Sequence, residues 1–243
     1  MLKKVIITIL SLGVAAYLIV AITMFNRPKE TQVCSEVVVS VEDSLQTGFL
    51  KNEDILKLLT KKKCNPKGRK FGDVDLKQIE TVLKANPYVS DVLCYKTPGG
   101  KVCINVVQRY AIMHVMANNG EDYYLDRQGK PMPQSAYCAD LPIATGYITK
   151  NFARQHLTIL GRLLAADQFW NKQIQQIDVN ADGTVSLVPR VGEHIILLGH
   201  PLNVKEKLDR MKKFYAEGLN RVGWNKYSTI NLEYDNQIIC KKK

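Results

Sequence analysis

Six cysteines and four histidines are the residues of this chain best suited to nucleophilic, redox or metal chemistry. The cysteines are Cys34, Cys64, Cys94, Cys103, Cys138 and Cys240, and none lies in a Cys-x-x-Cys pair. The histidines, His114, His156, His194 and His200, show no ligand spacing with them, which argues against a zinc site. An even cysteine count in an oxidising compartment permits disulfides. Cys94 and Cys103 flank the turn Thr97-Pro98-Gly99-Gly100. A four-residue loop would set them opposite each other on one face, within bridging reach, whereas a one-residue change would put them on opposite faces. The alternative is a set of small buried free thiols. Asp178 and Asp182 flank another turn, where carboxylates ordinarily serve turn geometry. There is no Gly-x-Ser-x-Gly, phosphate loop, Gly-x-Gly-x-x-Gly or His-Glu-x-x-His motif. The inventory points to a non-enzymatic chain with no cofactor and no metal.

Any chemistry must be placed by the elements, and the first of these faces lipid. After Met1-Leu2-Lys3-Lys4 comes an uncharged apolar run from Val5 to Phe25. As a helix it would rise roughly 31 Å, about one bilayer core. It exceeds the apolar region of a cleaved signal peptide, and no small-x-small pair marks a cleavage site at its exit. No lipobox precedes Cys34. A retained single span is expected, with residues 1–4 as a cytoplasmic tail and residues 26–32 as a linker. The weak charge bias puts the N-terminus inside and the bulk of the chain on the exoplasmic side.

The net charge is +11, with 34 basic residues mostly scattered. Local runs occur at Lys61-Lys62-Lys63, Lys67–Lys70 and Lys241-Lys242-Lys243. Such runs ordinarily make a solvated face, and otherwise attract acidic partners or anionic headgroups. No interleaving of aromatic and basic residues supports nucleic-acid binding.

Beyond the linker, Val33–Val41 reads as a strand. Asn52 is placed to cap a helix carrying Ile55, Leu56, Leu58 and Leu59. A basic loop over 61–72 leads to a second helix capped by Asp73 or Asp75, which stops at Asn86-Pro87. Tyr88–Lys96 and Lys101–Val107 form a hairpin. Strand, helix, helix, strand, strand make a compact α+β module over 33–110. A second domain over 111–240 opens with strands at Ala111–Ala117 and Asp122–Leu125. It continues with a helix over Asn151–Phe169, strands at Ile174–Val179, Thr184–Val188 and His194–Leu198, and a helix over Val204–Val222. One last strand, Ser228–Ile239, puts Ile230, Leu232 and Tyr234 on one face, before a basic tail over 241–243. The fold class is α+β, with the second domain mostly antiparallel β and flanking helices.

This order, with several short motifs, resembles the FtsQ/DivIB family of bacterial division proteins. The small module resembles a POTRA domain: Asn86-Pro87-Tyr88-Val89 through Gln108-Arg109-Tyr110-Ala111 is similar to its Pro-aromatic-Val strand, Pro-containing turn and Glu-Arg-x-Pro exit. Tyr124-Leu125-Asp126-Arg127-Gln128-Gly129 resembles the aspartate turn that opens the second domain. Leu141-Pro142-Ile143-Ala144-Thr145-Gly146 resembles its Leu-Pro-x-x-x-Gly segment. Ile230-Asn231-Leu232-Glu233-Tyr234-Asp235 resembles the closing Val-Asp-Leu-Arg-Tyr strand. Gln108 and Ala111 depart from Glu-Arg-x-Pro, and Glu233 reverses the charge of the usual Arg.

The resemblance implies an inner-membrane divisome scaffold, periplasmic in bulk, acting at the septum. It would bind the single-span partners FtsB and FtsL and through them recruit the septal synthases FtsW and FtsI. Strand addition to the last strand is the expected mode. The backbone of Thr229–Ile239 would supply the ladder, with Leu232, Glu233, Tyr234, Asp235 and Asn236 as contacts. Tyr234 either anchors a side-chain contact or faces the core beside Leu232. Tyr88, Val89 and Val92 are candidate contacts on the small module. Two other readings are a POTRA-bearing transport or assembly factor and an anchored envelope enzyme. The first would usually bring several repeats or a barrel, and the sequence has neither.

Overall fold

A computed structural model describes residues 2–25, 29–42, 49–135 and 140–243, with the side chains of the first helix described over 6–21. Asn26–Pro28 of the expected linker and Cys138 lie outside the described residues. The chain divides into two compact units, Met1–Gln108 and Arg109–Lys243.

In the first unit, helix α1 covers Leu2–Phe25. Among the described residues no helix is long and apolar enough to cross a membrane. The span expected over 5–25 is therefore not shown by the structure.

The rest of this unit is a three-stranded sheet under two helices. Strand β1 (Glu36–Glu42) is followed by α2 (Asn52–Lys61) and α3 (Leu76–Lys84), then β2 (Val89–Lys96) and β3 (Lys101–Gln108). The sheet order is β1-β3-β2, with β1 parallel to β3 and β2 antiparallel to it. Ile55, Leu59, Ile79 and Leu83 bury one face of each helix against Val102, Ile104 and Val106 of the central strand. Asp75 caps α3 by accepting from the Gln78 amide at 3.1 Å. Asn52 does not cap α2: its Oδ1 accepts from the Val41 amide, and Asp54 instead accepts from the Lys51 amide. Gln108 is buried, and its amide ties the Leu50 amide to the Glu42 carbonyl.

The register overturns a Cys94–Cys103 disulfide. Lys96 pairs with Val102, so Cys94 faces Ile104, and Cys103 faces Tyr95. The Thr97 amide donates to the Lys101 carbonyl, so these two close a three-residue loop, one residue shorter than the bridge requires. In a pleated hairpin that slip sends the two side chains to opposite faces. Both thiols are free, Cys94 buried and Cys103 partly exposed.

The second unit is a nine-stranded mixed sheet in the order β12-β11-β10-β9-β8-β7-β4-β5-β6. Its strands are β4 (Ala111–Ala117), β5 (Asp122–Asp126), β6 (Pro131–Met132), β7 (Ile143–Gly146), β8 (Ile174–Val179) and β9 (Val185–Pro189). Then follow β10 (Ile195–Gly199), β11 (Tyr227–Asn231) and β12 (Ile239–Lys242). The pairs β4–β7, β7–β8 and β10–β11 are parallel and the others antiparallel. Helix α4 runs through Lys150–Phe152, a π-type turn Ala153–Leu157, and Thr158–Ala166. Helix α5 (Gln168–Gln173) follows, capped by Asp167. Helix α6 runs through Val204–Lys213, a second π-type turn Phe214–Leu219, and Asn220–Val222.

One row of side chains crosses the sheet under these helices: Val115, Ala144, Ile177, Leu187, Ile196 and Ile230, each register partner of the next. Leu157, Leu160, Leu164, Trp170, Leu208, Met211 and Tyr215 join them in one core. The adjacent row on the other face is polar at its centre. Thr145 donates to Asp178 at 2.8 Å and accepts from Gln176. Gly146 is required where β7 ends: its φ is +100°, and an added Cβ would lie 2.2 Å from the Val179 carbonyl oxygen.

Thiol accessibility tests the register. Burial pushes the Cys94 thiol up to about 12, with Glu80 adding to the shift, so the folded protein should alkylate Cys103 at ~pH 8 and leave Cys94 unmodified. Non-reducing peptide mass mapping should show no Cys94–Cys103 bridge. A bridged peptide would refute the register.

Candidate functional site

The expected long last strand is two strands joined by a turn. β11 ends at Asn231, and β12 folds back antiparallel, pairing Asn231 with Ile239 and Ile230 with Cys240. Thr229–Asn231 therefore has a neighbour on both sides, β10 and β12. Among the described residues β12 pairs with β11 alone, so the sheet ends on Ile239–Lys242. Strand addition at Thr229–Asn231 is corrected accordingly: that ladder is already filled.

The five residues singled out on the last strand fall on the connection between β11 and β12. Leu232 is fully buried, and its amide donates to the Leu197 carbonyl at 2.8 Å. It is a core residue. Tyr234 is 50% exposed, so it does not face the core in line with Leu232. Glu233, Asp235 and Asn236 are exposed. Asn236 has φ +59°, the left-handed conformation that asparagine tolerates in turns. The Glu233 amide donates to Asn231 Oδ1 at 2.8 Å, and Gly199 (φ +70°) leaves room for the Glu233 side chain.

Helix α6 supplies the supports that sequence reasoning missed. Arg210 donates to the Leu232 and Tyr234 carbonyls at 3.0 and 3.1 Å, holding the turn by its backbone. Lys207 is buried, and its ammonium donates to the Leu198 and His200 carbonyls at 2.8 and 2.9 Å. Burial lowers its pKa, Glu233 and Asp235 oppose that shift, and Arg210 adds to it. A signal existed: Val204, Lys207, Leu208 and Met211 follow i, i+3, i+4, i+7 spacing, so Lys207 sits on the apolar stripe. Asp235-Asn236 was likewise a turn signal inside the supposed strand.

On the small module, Val89 and Val92 face the core, 6% and 4% exposed, which corrects their place as contacts. Tyr88 is half-buried and stacks on Phe49 at 5.7 Å between ring centroids. Alternation along β2 turns Leu93 and Tyr95 outward instead.

The histidines do not build a reaction centre. His114 Nε2 meets Asp122 Oδ1 at 2.6 Å and its ring stacks on Tyr124, so the nitrogen a nucleophile would need is engaged. A cleft of about 430 Å³ nearby carries the Glu121–Lys150 ion pair, 2.7 Å long. Among the described residues no group of three or more His, Cys, Asp or Glu is placed to hold a metal. His194 is buried, with Nε2 2.7 Å from the Tyr215 hydroxyl, and Tyr215 stacks on Trp224.

A mixed sheet that ends on β12, following a β-α-α-β-β module, makes this a two-domain α+β protein. The family model for the FtsQ/DivIB C-terminal related domain matches residues 111–241, and that for the POTRA-like domain matches residues 32–107. The chain belongs to the FtsQ/DivIB family, and it is a cell-division protein built on a POTRA fold. No curated protein matches it. The earlier resemblance is thereby confirmed. Arg109 and Asp126, which stand in two of its motifs, bond to each other: Arg109 Nε and Nη2 donate to Asp126 Oδ2 at 2.8 and 2.6 Å.

Two measurements test the support of this edge. Leu232→Ala should lower the unfolding free energy by about 2–5 kcal/mol in urea titration, the cost of emptying a filled core site. Burial holds the His194 imidazole below its ordinary value of 6.5, with the Trp224 backbone opposing the shift. The unfolded chain then takes the proton first, so this contribution to stability is complete above ~pH 6.5 and is lost as pH falls through the folded value. His194→Gln should remove that part of the acid slope, and an unchanged slope between ~pH 7.5 and ~pH 5.5 would refute the assignment.

Proposed function

We propose that the chain is a non-enzymatic divisome scaffold, held in the bacterial inner membrane by α1. Its bulk is periplasmic and it takes a partner strand on the outer edge of β12. FtsB- and FtsL-type single-span proteins are the partners, and FtsW/FtsI-type septal synthases are recruited through them. The observation that carries this reading is the free edge. Among the described residues β12 has one neighbour, β11, and its outer N–H and C=O groups can extend the sheet by one strand. Exposed Tyr234, on a turn held by Arg210, supplies an aromatic contact beside that strand. Glu233, Asp235 and Asn236 flank it as polar contacts, and Leu232 keeps the turn seated. The apolar run over 5–25 supports the anchor, since its length and flanks fit a retained span. Membership of a family without catalytic members supports a scaffold over an enzyme.

The test is binding of the host's FtsB-type extracytoplasmic segment to the full chain in nanodiscs, followed by imaging of an N-terminally tagged copy. Tyr234→Ala should weaken binding at least about tenfold, while stability shifts by less than about 0.5 kcal/mol. Backbone amides at neighbouring positions of a strand point to opposite sides. Of Cys240→Pro and Lys241→Pro, one therefore breaks the β11 ladder and the other blocks only the incoming strand. The variant that stays folded should lose binding and its midcell band. A folded proline variant at each position that binds like wild type sinks strand addition.

A further inference from the structure

The basic loop after α2 is absorbed neither by the core nor by the β12 edge. Lys61, Lys62, Lys63, Lys67, Arg69 and Lys70 are all exposed, and no carboxylate occurs between Thr60 and Asp73. Among the described residues none of the six forms an ion pair. Glu36, which feels the charge of Lys67, is itself paired with Lys101 at 2.6 Å.

The loop is built rather than slack. Cys64, Pro66 and Phe71 are buried beneath it. Its backbone is zipped to the segment that follows α1. Gly72 donates to the Glu30 carbonyl at 2.9 Å, Phe71 to Gln32 at 2.8 Å and Gly68 to Cys34 at 2.8 Å, while Cys34 donates to Arg69 at 2.8 Å. Arg69 also donates to the Lys63 carbonyl at 2.7 Å, which closes the loop on itself. Glu30 is five residues beyond Phe25, the end of α1. Five residues span at most about 18 Å. With α1 anchored, the six cations are thus strapped to a point within that distance of the membrane surface. Charges presented there are attracted to anionic lipid across a Debye length of about 8–10 Å.

We propose that this loop, residues 61–70, lies on the anionic phospholipid headgroups of the membrane that holds α1, and so sets the orientation of the small module. The proposal rests on the reading of α1 as a retained anchor. Headgroups are favoured over an acidic protein because the tether guarantees their proximity: Arg69 and Lys70 lie within the strapped segment, and the Arg69 bond to the Lys63 carbonyl ties the preceding lysines to it.

The test is lysine footprinting of the full chain reconstituted into vesicles, either phosphatidylcholine alone or with a third phosphatidylglycerol. Acetylation of Lys61, Lys62, Lys63, Lys67 and Lys70 should slow about threefold to fivefold in the anionic vesicles, as expected for basic residues held at such a surface. Salt at ~0.5 M should reverse the effect, with Lys172 and Lys241 unchanged as internal references. Equal labelling in the two lipids, with the chain floating with both, overturns the proposal. So does slowing spread evenly over lysines of the whole chain. Equal slowing by inorganic phosphate in the zwitterionic vesicles overturns it too, leaving a free-anion site. A chain that floats with neither vesicle refutes the anchor itself, a failure distinct from these.

Discussion

The second unit is governed by its parallel strand pairs. Parallel neighbours cannot be joined by a tight turn, and each needs a crossover long enough to return the chain to the same end of the sheet. Between β7 and β8 that crossover is α4 with α5, and between β10 and β11 it is α6. Both pack over the row from Val115 to Ile230, so the core has one face and the sheet grows sideways. A sheet that grows sideways ends in edges. One edge is the two-residue β6, and the other is β12, which carries Lys241 and Lys242. Short strands and lysines are the usual means of keeping an edge from pairing indiscriminately, and the same charges bias which strand an edge accepts.

The crossover that closes the core also shapes the edge. Two cations on α6 turn inward, where an unpaired charge would carry a large desolvation cost. Lys207 offsets it with two carbonyls at the end of β10, and Arg210 with two carbonyls of the turn after β11. Both bond to backbone, so the turn can be held whatever side chains it displays. Glu233 is easy to accommodate on that basis: its side chain is exposed, and the turn is held through backbone carbonyls rather than through its charge. The junction at the start of the unit follows the same logic. Arg109 and Asp126 form a mostly buried pair whose remaining oxygen, Asp126 Oδ1, accepts from the Gln128 and Lys130 amides. A carboxylate so fully bonded is costly to orphan, typically by about 3–5 kcal/mol.

Much of the fold was legible because its signals are local. The period of Ile79, Val82 and Leu83 and the cap at Asp75 define α3. Asn180-Ala181-Asp182-Gly183 marks the β8–β9 hairpin, and the apolar stripe of Val204–Val222 marks α6. The candidate site was less legible. Alternation of Ile230, Leu232 and Tyr234 imitates a continuing strand, yet the chain leaves the sheet after Asn231 and Leu232 drops into the core by a different route. Val89 and Val92 read equally well as surface contacts or as core, and only their packing against the helices separates the two.

What the sequence alone determined is what short-range physics controls: the apolar helix at the start, the strand-helix-helix-strand-strand order of the first module, and the absence of catalytic motifs. Tertiary structure decided whatever turns on a one-residue register or on which strand lies outermost. Cys94 and Cys103 are separated because their hairpin loop is one residue shorter than a bridge requires. The free edge belongs to β12 because the last residues fold back on β11. The physical reason is common to both cases: side chains alternate every residue along a strand. A local pattern therefore specifies a strand but not its partner, and pairing alone settles which face is buried and which edge stays open.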